Sequence, residues 1–252
     1  MKNKNYNGLK NNPTNLIVFS FISLAALFTF SCASSEIADS KDVNQAKIYQ
    51  NYSVSFDAES PEYYYITAQF RFGGNKGTTL RLSDPSKVTV NEVEMEEKSD
   101  NFRGCYYQTS IKASGFFIFK FVDTENKEYV NDVKIIPVKA KVVDIINADK
   151  KTSVYWEGKV LASHESMLLT ICDNEGNWAS ASTDVAGSDY IVISPEDMTN
   201  LVGGKGELYF TRNYYNSVKN AADEGGNIST DYISVPISVK ILKTPSQDTT
   251  NN

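Results

Sequence analysis

Apolar and polar residues alternate with a period of two over much of the chain. The clearest run is residues 63–72, in which every second residue is apolar or aromatic. One face of this run holds Tyr64, Ile66, Ala68, Phe70 and Phe72. A period of two with β-branched and aromatic residues predicts a half-buried strand, so Tyr63 and Tyr65 are expected on its outer side.

Similar runs recur in two series, separated by clusters of turn-forming residues. The first series covers residues 63–72, 80–82, 88–90, 93–95, 105–111, 116–122 and 129–138. The second covers residues 141–146, 154–156, 167–172, 178–182, 190–193, 208–212 and 232–242. Short, regularly spaced strands predict an all-β fold, with two tandem Ig-like β-sandwich domains at residues 47–138 and 139–243. A single large sandwich or barrel over residues 47–243 is the alternative.

Two local signals refine this pattern. Pro236 cannot donate a ladder hydrogen bond, so the last run is predicted to lie at a sheet edge or to contain a bulge. Ser194 and Pro195, followed by two acidic residues, form a typical helix start. A short helix is therefore predicted there, with Met198 and Leu201 behind its first turn.

Composition and charge limit the function. The chain has 252 residues, with 25 basic and 31 acidic side chains and a formal net charge of −6. This balance argues against a nucleic-acid partner, because phosphate binding needs a basic surface. One histidine and three cysteines leave little material for histidine-based catalysis or a zinc site, so neither a cofactor nor a metal is predicted.

The first 31 residues have the pattern of an export signal. Lys2, Lys4 and Lys10 precede an uncharged apolar run at residues 16–30. A helix over that run would span about 23 Å at ~1.5 Å per residue, short of the ~30 Å hydrocarbon core of a bilayer. A secretory signal peptide over residues 1–31 is therefore predicted, with an uncut membrane anchor as the alternative.

The end of this run, Thr29-Phe30-Ser31-Cys32, resembles a bacterial lipobox, and the chain looks like a lipoprotein of Bacteroidota or spirochaetes. The resemblance implies cleavage before Cys32 and attachment of diacylglycerol to its thiol. Several acyl chains on one residue bind a membrane strongly, at about 0.8 kcal/mol per buried methylene. The resemblance thus implies an exported protein anchored through Cys32 to a bacterial membrane, with the outer membrane as the expected location, facing the periplasm or the surface.

Two further segments are predicted to lack packed structure. Residues 32–46 comprise the lipobox cysteine and a stretch of mostly small, polar and acidic side chains, a composition that predicts a flexible tether. Residues 244–252 are polar and are predicted to form a disordered tail.

The chain offers few candidates for catalysis or metal binding. Cys105 and Cys172 are predicted to be two buried free thiols, with an interdomain disulfide or a catalytic thiol as alternatives. The chain has no Gly-x-Ser-x-Gly motif to supply a nucleophilic serine for His164, so His164 is expected to be a solvated loop residue. The acidic segments 123–127 and 173–177 depart from the EF-hand pattern and are predicted to be hairpin turns rather than calcium sites.

Exposed aromatic residues are the feature that points to a ligand. The alternation and the turn positions place five of them at the surface: Tyr63, Tyr65, Trp178, Tyr214 and Tyr215. Such rings can stack on sugars or anchor a protein partner. They are the candidate ligand-binding residues, and an envelope protein or a glycan is the candidate partner.

The sequence therefore predicts a membrane-anchored, non-enzymatic envelope protein that binds a ligand or acts as a structural spacer. A pilin-like surface subunit is the first alternative. A glycan-acting hydrolase is the second, with paired acids such as Glu96-Glu97 or Asp223-Glu224 as its carboxylates. Adjacent acids on a strand point to opposite faces, which disfavours that alternative.

Overall fold

The alternating pattern builds strands throughout the computed structural model, which describes residues 34–112 and 115–244. The strands of the first half are β1 (Ile37–Asp39), β2 (Ile48–Asp57), β3 (Tyr64–Phe72), β4 (Thr78–Arg81), β5 (Lys87–Val90), β6 (Val93–Glu94), β7 (Glu96–Asp100), β8 (Gly104–Ile111), β9 (Phe116–Val122) and β10 (Glu128–Lys134). The strands of the second half are β11 (Val138–Ala140), β12 (Ile145–Asn147), β13 (Thr152–Gly158), β14 (Glu165–Asp173), β15 (Trp178–Thr183), β16 (Tyr190–Ile193), β17 (Gly204–Ser217), β18 (Gly226–Ile233) and β19 (Ile237–Leu242).

Helical structure in the described residues is limited to three 3₁₀ turns, at Ser40–Asp42, Gln45–Lys47 and Pro195–Met198. None of the helices described is long and apolar enough to cross a membrane. The all-β prediction is therefore confirmed for this part of the chain. The predicted signal peptide, Cys32 and residues 245–252 lie outside the described residues.

Each half has a sandwich-like core between two sheets. In the first half, the sheet with strand order β10, β9, β5, β6 packs on β2 and β3 through aromatic rings. The rings of Tyr52 and Phe119 stack with centroids 4.6 Å apart, and those of Phe70 and Phe121 lie 4.3 Å apart. Such ring pairs add to the stabilisation from buried area. In the second half, Trp156 on β13 packs edge-on against Phe210 on β17 at 5.8 Å.

The two halves share one twelve-stranded sheet, whose main path runs β1, β4, β3, β2, β18, β17, β14, β15. β2 pairs in parallel with β18 from Gln50–Gly226 to Asp57–Ile233. The described residues all belong to one compact unit. The predicted boundary between residues 138 and 139 falls inside β11, and the pairing of β2 with β18 joins the two halves in one sheet.

The segment predicted to be a flexible tether is folded from Ser34 onward. β1 pairs in parallel with β4, and Ser40 is fully buried. Arg71, only 7% exposed, donates a hydrogen bond to the carbonyl of Ser34 at 2.7 Å. The tether prediction is therefore wrong for residues 34–46, because their polar side chains and backbone groups are used at the sheet edge instead of being solvated.

The predicted core-facing side of β3 is confirmed except at the C-terminal end of the strand. Tyr64, Ile66, Ala68 and Phe70 are buried as expected. Phe72, expected in the core, is 38% exposed, and its neighbour Arg71 is buried instead. The alternation inverts here because the N-terminal segment covers Arg71, while Phe72 ends the strand beyond the packed rings.

Several local predictions match the structure closely. Asn91 and Glu92 separate the predicted runs at residues 88–90 and 93–95, a pattern that predicts a hairpin; both have positive φ angles and close the β5–β6 hairpin. The Ser194 N–H donates to the Asp197 carboxylate at 3.0 Å, at the start of the 3₁₀ turn Pro195–Met198. By contrast, the prediction of one last strand over residues 232–242 is wrong, because Pro236 lies between β18 and β19 and the run forms parts of two strands.

The chain is still bound at Thr244, where the tail was predicted to begin. The backbone N–H and the hydroxyl of Thr244 both donate to the Asp149 carboxylate, at 2.7 and 2.6 Å. Its neighbour Lys243 donates from Nζ to the carbonyls of Thr199 and Leu201, at 2.5 Å each. These contacts fix the described C-terminal end beside the 3₁₀ turn.

Candidate ligand-binding face

The outward side of the shared sheet presents an ordered polar surface at the seam between the two halves. β3, β2, β18 and β17 lie side by side, and their register aligns twelve outward residues in three rows across the strands. The rows are Tyr65, Ser55, Asp231 and Asn213; Thr67, Ser53, Ser229 and Tyr215; and Gln69, Asn51, Asn227 and Ser217. We call these twelve residues the polar face. At ~4.8 Å between strands and ~3.4 Å per residue, it spans about 14 Å in each direction.

The polar face is nearly uncharged and rich in hydrogen-bonding groups. Its twelve residues comprise five hydroxyl side chains, four amides, two tyrosines and one carboxylate, with no basic residue. The rings of Tyr65 and Tyr215 are 54% and 59% exposed. Alternation explains this face, because the intervening residues, such as Tyr52 and Val54, are buried on the other side of the sheet.

Two of the three rows satisfy much of their own hydrogen-bonding capacity. The hydroxyls of Ser53 and Thr67 lie 2.8 Å apart, within hydrogen-bond distance. The Gln69 amide donates to the carbonyl of Arg103 at 2.7 Å. The Asn227 amide donates to the hydroxyl of Tyr49, a residue next to this face. These side chains are thus held in place by the protein itself.

The first row differs, because its serine, aspartate and asparagine side chains have no hydrogen-bond partner in the described residues. Ser55, Asp231 and Asn213 are half-buried, and their side chains make no hydrogen bond or ion pair with any residue in the described parts of the chain. Burial raises the pKa of Asp231. The row therefore holds a partly desolvated carboxylate between a hydroxyl and an amide, each with free hydrogen-bonding capacity.

The two exposed rings flank this carboxylate. Tyr65 lies in the same row, two strands away from Asp231, at about 10 Å for two inter-strand steps. Tyr215 is opposite Ser229, which places it diagonally from Asp231, at a typical distance of about 7 Å. The face thus combines apolar ring surfaces with unpaired polar groups, the combination expected of a binding site.

Of the five predicted aromatic residues, three lie at or beside the polar face. Tyr65 and Tyr215 belong to it, and Tyr63 lines a shallow hollow together with Tyr65. The Nζ atom of Lys112 lies 5.3 Å from the Tyr63 ring centroid, and the neighbouring Glu62 raises the pKa of the Tyr63 hydroxyl. Tyr63 therefore sits at the rim of the site.

The other two aromatic candidates lie elsewhere. Tyr214 packs against the core, and its hydroxyl accepts a hydrogen bond from Asn216 at 3.2 Å. Trp178 is 63% exposed and lies opposite Cys172 on β14. Tyr215 lies opposite His164, which is eight residues before Cys172. At ~3.4 Å per residue this is about 27 Å along the strand. Trp178 therefore does not join the polar face.

The two acidic segments form hairpin turns, as predicted. The Asp173 carboxylate accepts backbone N–H groups of Glu175, Asn177 and Val202 at 2.8–2.9 Å. Burial would raise the pKa of Asp173, but these hydrogen bonds and one from the Asn177 side chain lower it to about 2. Asp123 accepts the N–H groups of Glu125 and Lys127 in the same way. Both carboxylates are therefore occupied by N–H groups of the protein itself.

Two cysteines and one histidine are the remaining candidates for chemistry in the described residues. Cys105 is buried and Cys172 is half-buried, and both are free thiols. Burial raises the pKa of Cys105 to about 11, which disfavours a reactive thiolate. His164 is exposed.

The predicted acid pairs are engaged in surface ion pairs. Glu96 contacts Lys98 at 2.8 Å and Glu97 contacts Arg81 at 2.9 Å. Glu224 lies 3.6 Å from Lys47. Strand geometry points Glu96 and Glu97 to opposite faces of β7, so these two carboxylates do not face a common substrate. Asp223 and Glu224 lie in the turn before β18.

Sequence reasoning missed the centre of the site, Ser55, Asn213 and Asp231. The signal was present, because residues 48–57 and 226–233 alternate polar and apolar side chains. It also missed an exposed pair on the opposite sheet, Tyr155 and Tyr190, whose rings lie 5.4 Å apart.

Comparisons with known proteins add little to this description. No family model and no curated protein matches the chain. One solved structure, a tetra-tandem repeat in the extending region of a large adhesion protein, is 12% identical with a TM-score of 0.25, over 74% of this chain and 48% of that one. Another, from work on host cell surface retention of a 1.5-MDa bacterial ice-binding adhesin, is 12% identical with a TM-score of 0.22, over 77% and 66%. Overlaps this weak carry no argument about function.

Proposed function

We propose that this protein is an exported, lipid-anchored, non-enzymatic module of the bacterial envelope that binds its ligand through the polar face. The unpaired row of Ser55, Asp231 and Asn213 between two exposed rings carries the binding part of this proposal. Polar groups that are partly desolvated and unpaired lower stability, and such departures from a well-satisfied fold are expected at functional sites.

The anchoring part rests on Cys32 and on the folded segment that follows it. The backbone N–H of Ser34 donates to the carbonyl of Lys76 at 3.1 Å, and Arg71 holds the carbonyl of Ser34. A lipid on Cys32 would therefore be only two residues from the folded body. The body would then be held close to the membrane, without the freedom that a flexible tether gives.

Binding to envelope fractions tests the proposal. The full-length protein in detergent micelles is immobilised and exposed to a solubilised envelope fraction that lacks it. The double variant Tyr65→Ala/Tyr215→Ala is expected to lose retention of envelope material. Tyr155→Ala, which removes a 44% exposed tyrosine on the opposite sheet, is expected to keep it. Equal retention by all three proteins would count against the polar face as the binding surface.

A further inference from the structure

We infer that the ligand of the polar face is a neutral glycan chain, with its hydroxyl groups bound by Asp231, Ser55 and Asn213 and its sugar rings stacked on Tyr65 and Tyr215. This inference rests on the proposed function, since it names the ligand class for the same face.

The side chains of the first row match the chemistry of sugar hydroxyls. A carboxylate accepts two hydroxyl hydrogens at once, and hydrogen bonds to a charged acceptor are shorter and stronger than neutral ones. An amide and a hydroxyl each donate and accept, as neighbouring sugar hydroxyls do. Asp231 lies between Ser55 and Asn213 in one row, so the three form a continuous hydrogen-bonding edge.

The rings supply the apolar part of the contact. A sugar ring presents C–H groups on its face, and an exposed tyrosine ring offers a complementary surface of low conformational entropy. Tyr65 and Tyr215 stand on opposite sides of Asp231, about 10 and 7 Å away along the sheet. Rings this far apart can stack on separate sugars of one chain, whereas an aromatic cage around one cation needs rings that converge on a single point.

The charge of the face favours a neutral ligand over the alternatives. The face has no basic residue to pair with phosphate, sulfate or carboxylate groups, which disfavours nucleic acid and acidic polymers. Its single carboxylate falls short of the six to eight oxygen ligands of a calcium ion. Five hydroxyls and four amides around one carboxylate form a surface complementary to many uncharged hydroxyl groups.

Direct binding to defined polymers tests the inference. The full-length protein in detergent micelles is immobilised, and binding of soluble mannan, dextran, galactan and xyloglucan is measured, with polygalacturonate and polylysine for comparison. At least one neutral polymer is expected to bind. Asp231→Asn and Tyr65→Ala are each expected to weaken that binding about tenfold or more, as for the loss of a charge-assisted hydrogen bond or a stacked ring. Asp223→Asn and Tyr155→Ala, an acid and a tyrosine outside the face, are expected to bind like the wild type.

The outcomes separate this inference from the proposed function. Binding of none of the neutral polymers, a preference for polylysine, or unchanged affinity in both face variants would overturn the glycan inference. If envelope retention still depends on Tyr65 and Tyr215 in that case, the proposed function stands and only the ligand class is wrong. If envelope retention is also unchanged, both are wrong.

Discussion

Glu165 and Arg212 form a buried ion pair in the second half of the protein, with Arg212 Nη2 and Glu165 Oε2 2.5 Å apart. The Arg212 side chain is 3% exposed and the Glu165 side chain is 7% exposed. Arg212 also donates to the carbonyls of Lys159 and Val160, at 2.7 and 2.9 Å. Glu165 accepts the N–H of Ala162 at 2.7 Å. The pair therefore fixes the loop that leads into β14, and neither residue was singled out by the sequence pattern.

Removing one partner of this pair is expected to be costly. Arg212→Ala should lower the free energy of unfolding by about 3–5 kcal/mol, because it leaves the Glu165 carboxylate buried and uncompensated. Urea denaturation measures the change. Lys98→Ala, which breaks the exposed pair with Glu96, should cost less than about 1 kcal/mol. A loss from Arg212→Ala no larger than that from Lys98→Ala would contradict the argument from an uncompensated buried carboxylate.

Asp231→Asn is expected to separate stability from binding. The raised pKa means that the native carboxylate takes up a proton more readily than the unfolded one, so the charged form costs stability at neutral pH. The variant should be at least as stable as the wild type at pH 7, and any gain should vanish as the pH falls below the native pKa. Thermal melts at several pH values test this. A clear loss of stability at pH 7 would identify Asp231 as a structural residue.

Asp173 is expected to contribute stability with the opposite pH dependence. Its pKa of about 2 lies below the ordinary value of 3.8, so its contribution is present above pH 3.8 and is lost as the pH falls towards 2. Asp173→Asn should therefore cost on the order of 2 kcal/mol at pH 7 and much less at pH 2. Urea denaturation at both pH values tests this, with the exposed Asp223→Asn as the control. A cost that is the same at both pH values would contradict the role assigned to the ionised carboxylate.

The packed N-terminal segment gives a proteolysis prediction. Residues 34–46 of the wild-type protein should resist trimming, because their backbone is paired with β4 and held by Arg71. Arg71→Ala should expose them to rapid cleavage, detected by mass spectrometry of the products. Lys120→Ala, whose side chain is 42% exposed and pairs with Glu128 instead of with this segment, is the control. Immediate trimming of this segment in the wild-type protein would contradict the packed arrangement and support the flexible-tether interpretation.

The seam between β2 and β18 is expected to make unfolding cooperative. The wild type should melt in one transition, because the two halves share a sheet. A Cβ atom at Gly226 would lie 2.1 Å from the Gln50 carbonyl oxygen, so Gly226→Val must push the strands apart. We expect a loss of about 1–3 kcal/mol or more, and Ser229→Ala on the same strand should change little. Two separate calorimetric transitions in the wild type would favour independent domains.

Local features of this protein were determined by the sequence alone. The alternation at residues 63–72 placed Tyr65 outside and Phe70 in the core, as the structure shows. Turn residues marked the hairpins at Asn91 and at Asp173. Asn91 adopts the positive φ that its turn requires, and the Asp173 carboxylate accepts the N–H of Asn177 four residues further on. These features depend on residues that are close in the chain, so their signal is complete within a short window.

Only the tertiary structure decided which strands became neighbours. Alternation assigns a residue to a face of its strand but carries no information about the strand beside it. The parallel pairing of β2 with β18 brought Ser55 next to Asp231, although the two are far apart in the chain. The same kind of long-range contact buried Arg71 under Ser34. The candidate site exists because of this pairing, which is why the sequence predicted its rim of tyrosines and not its carboxylate centre.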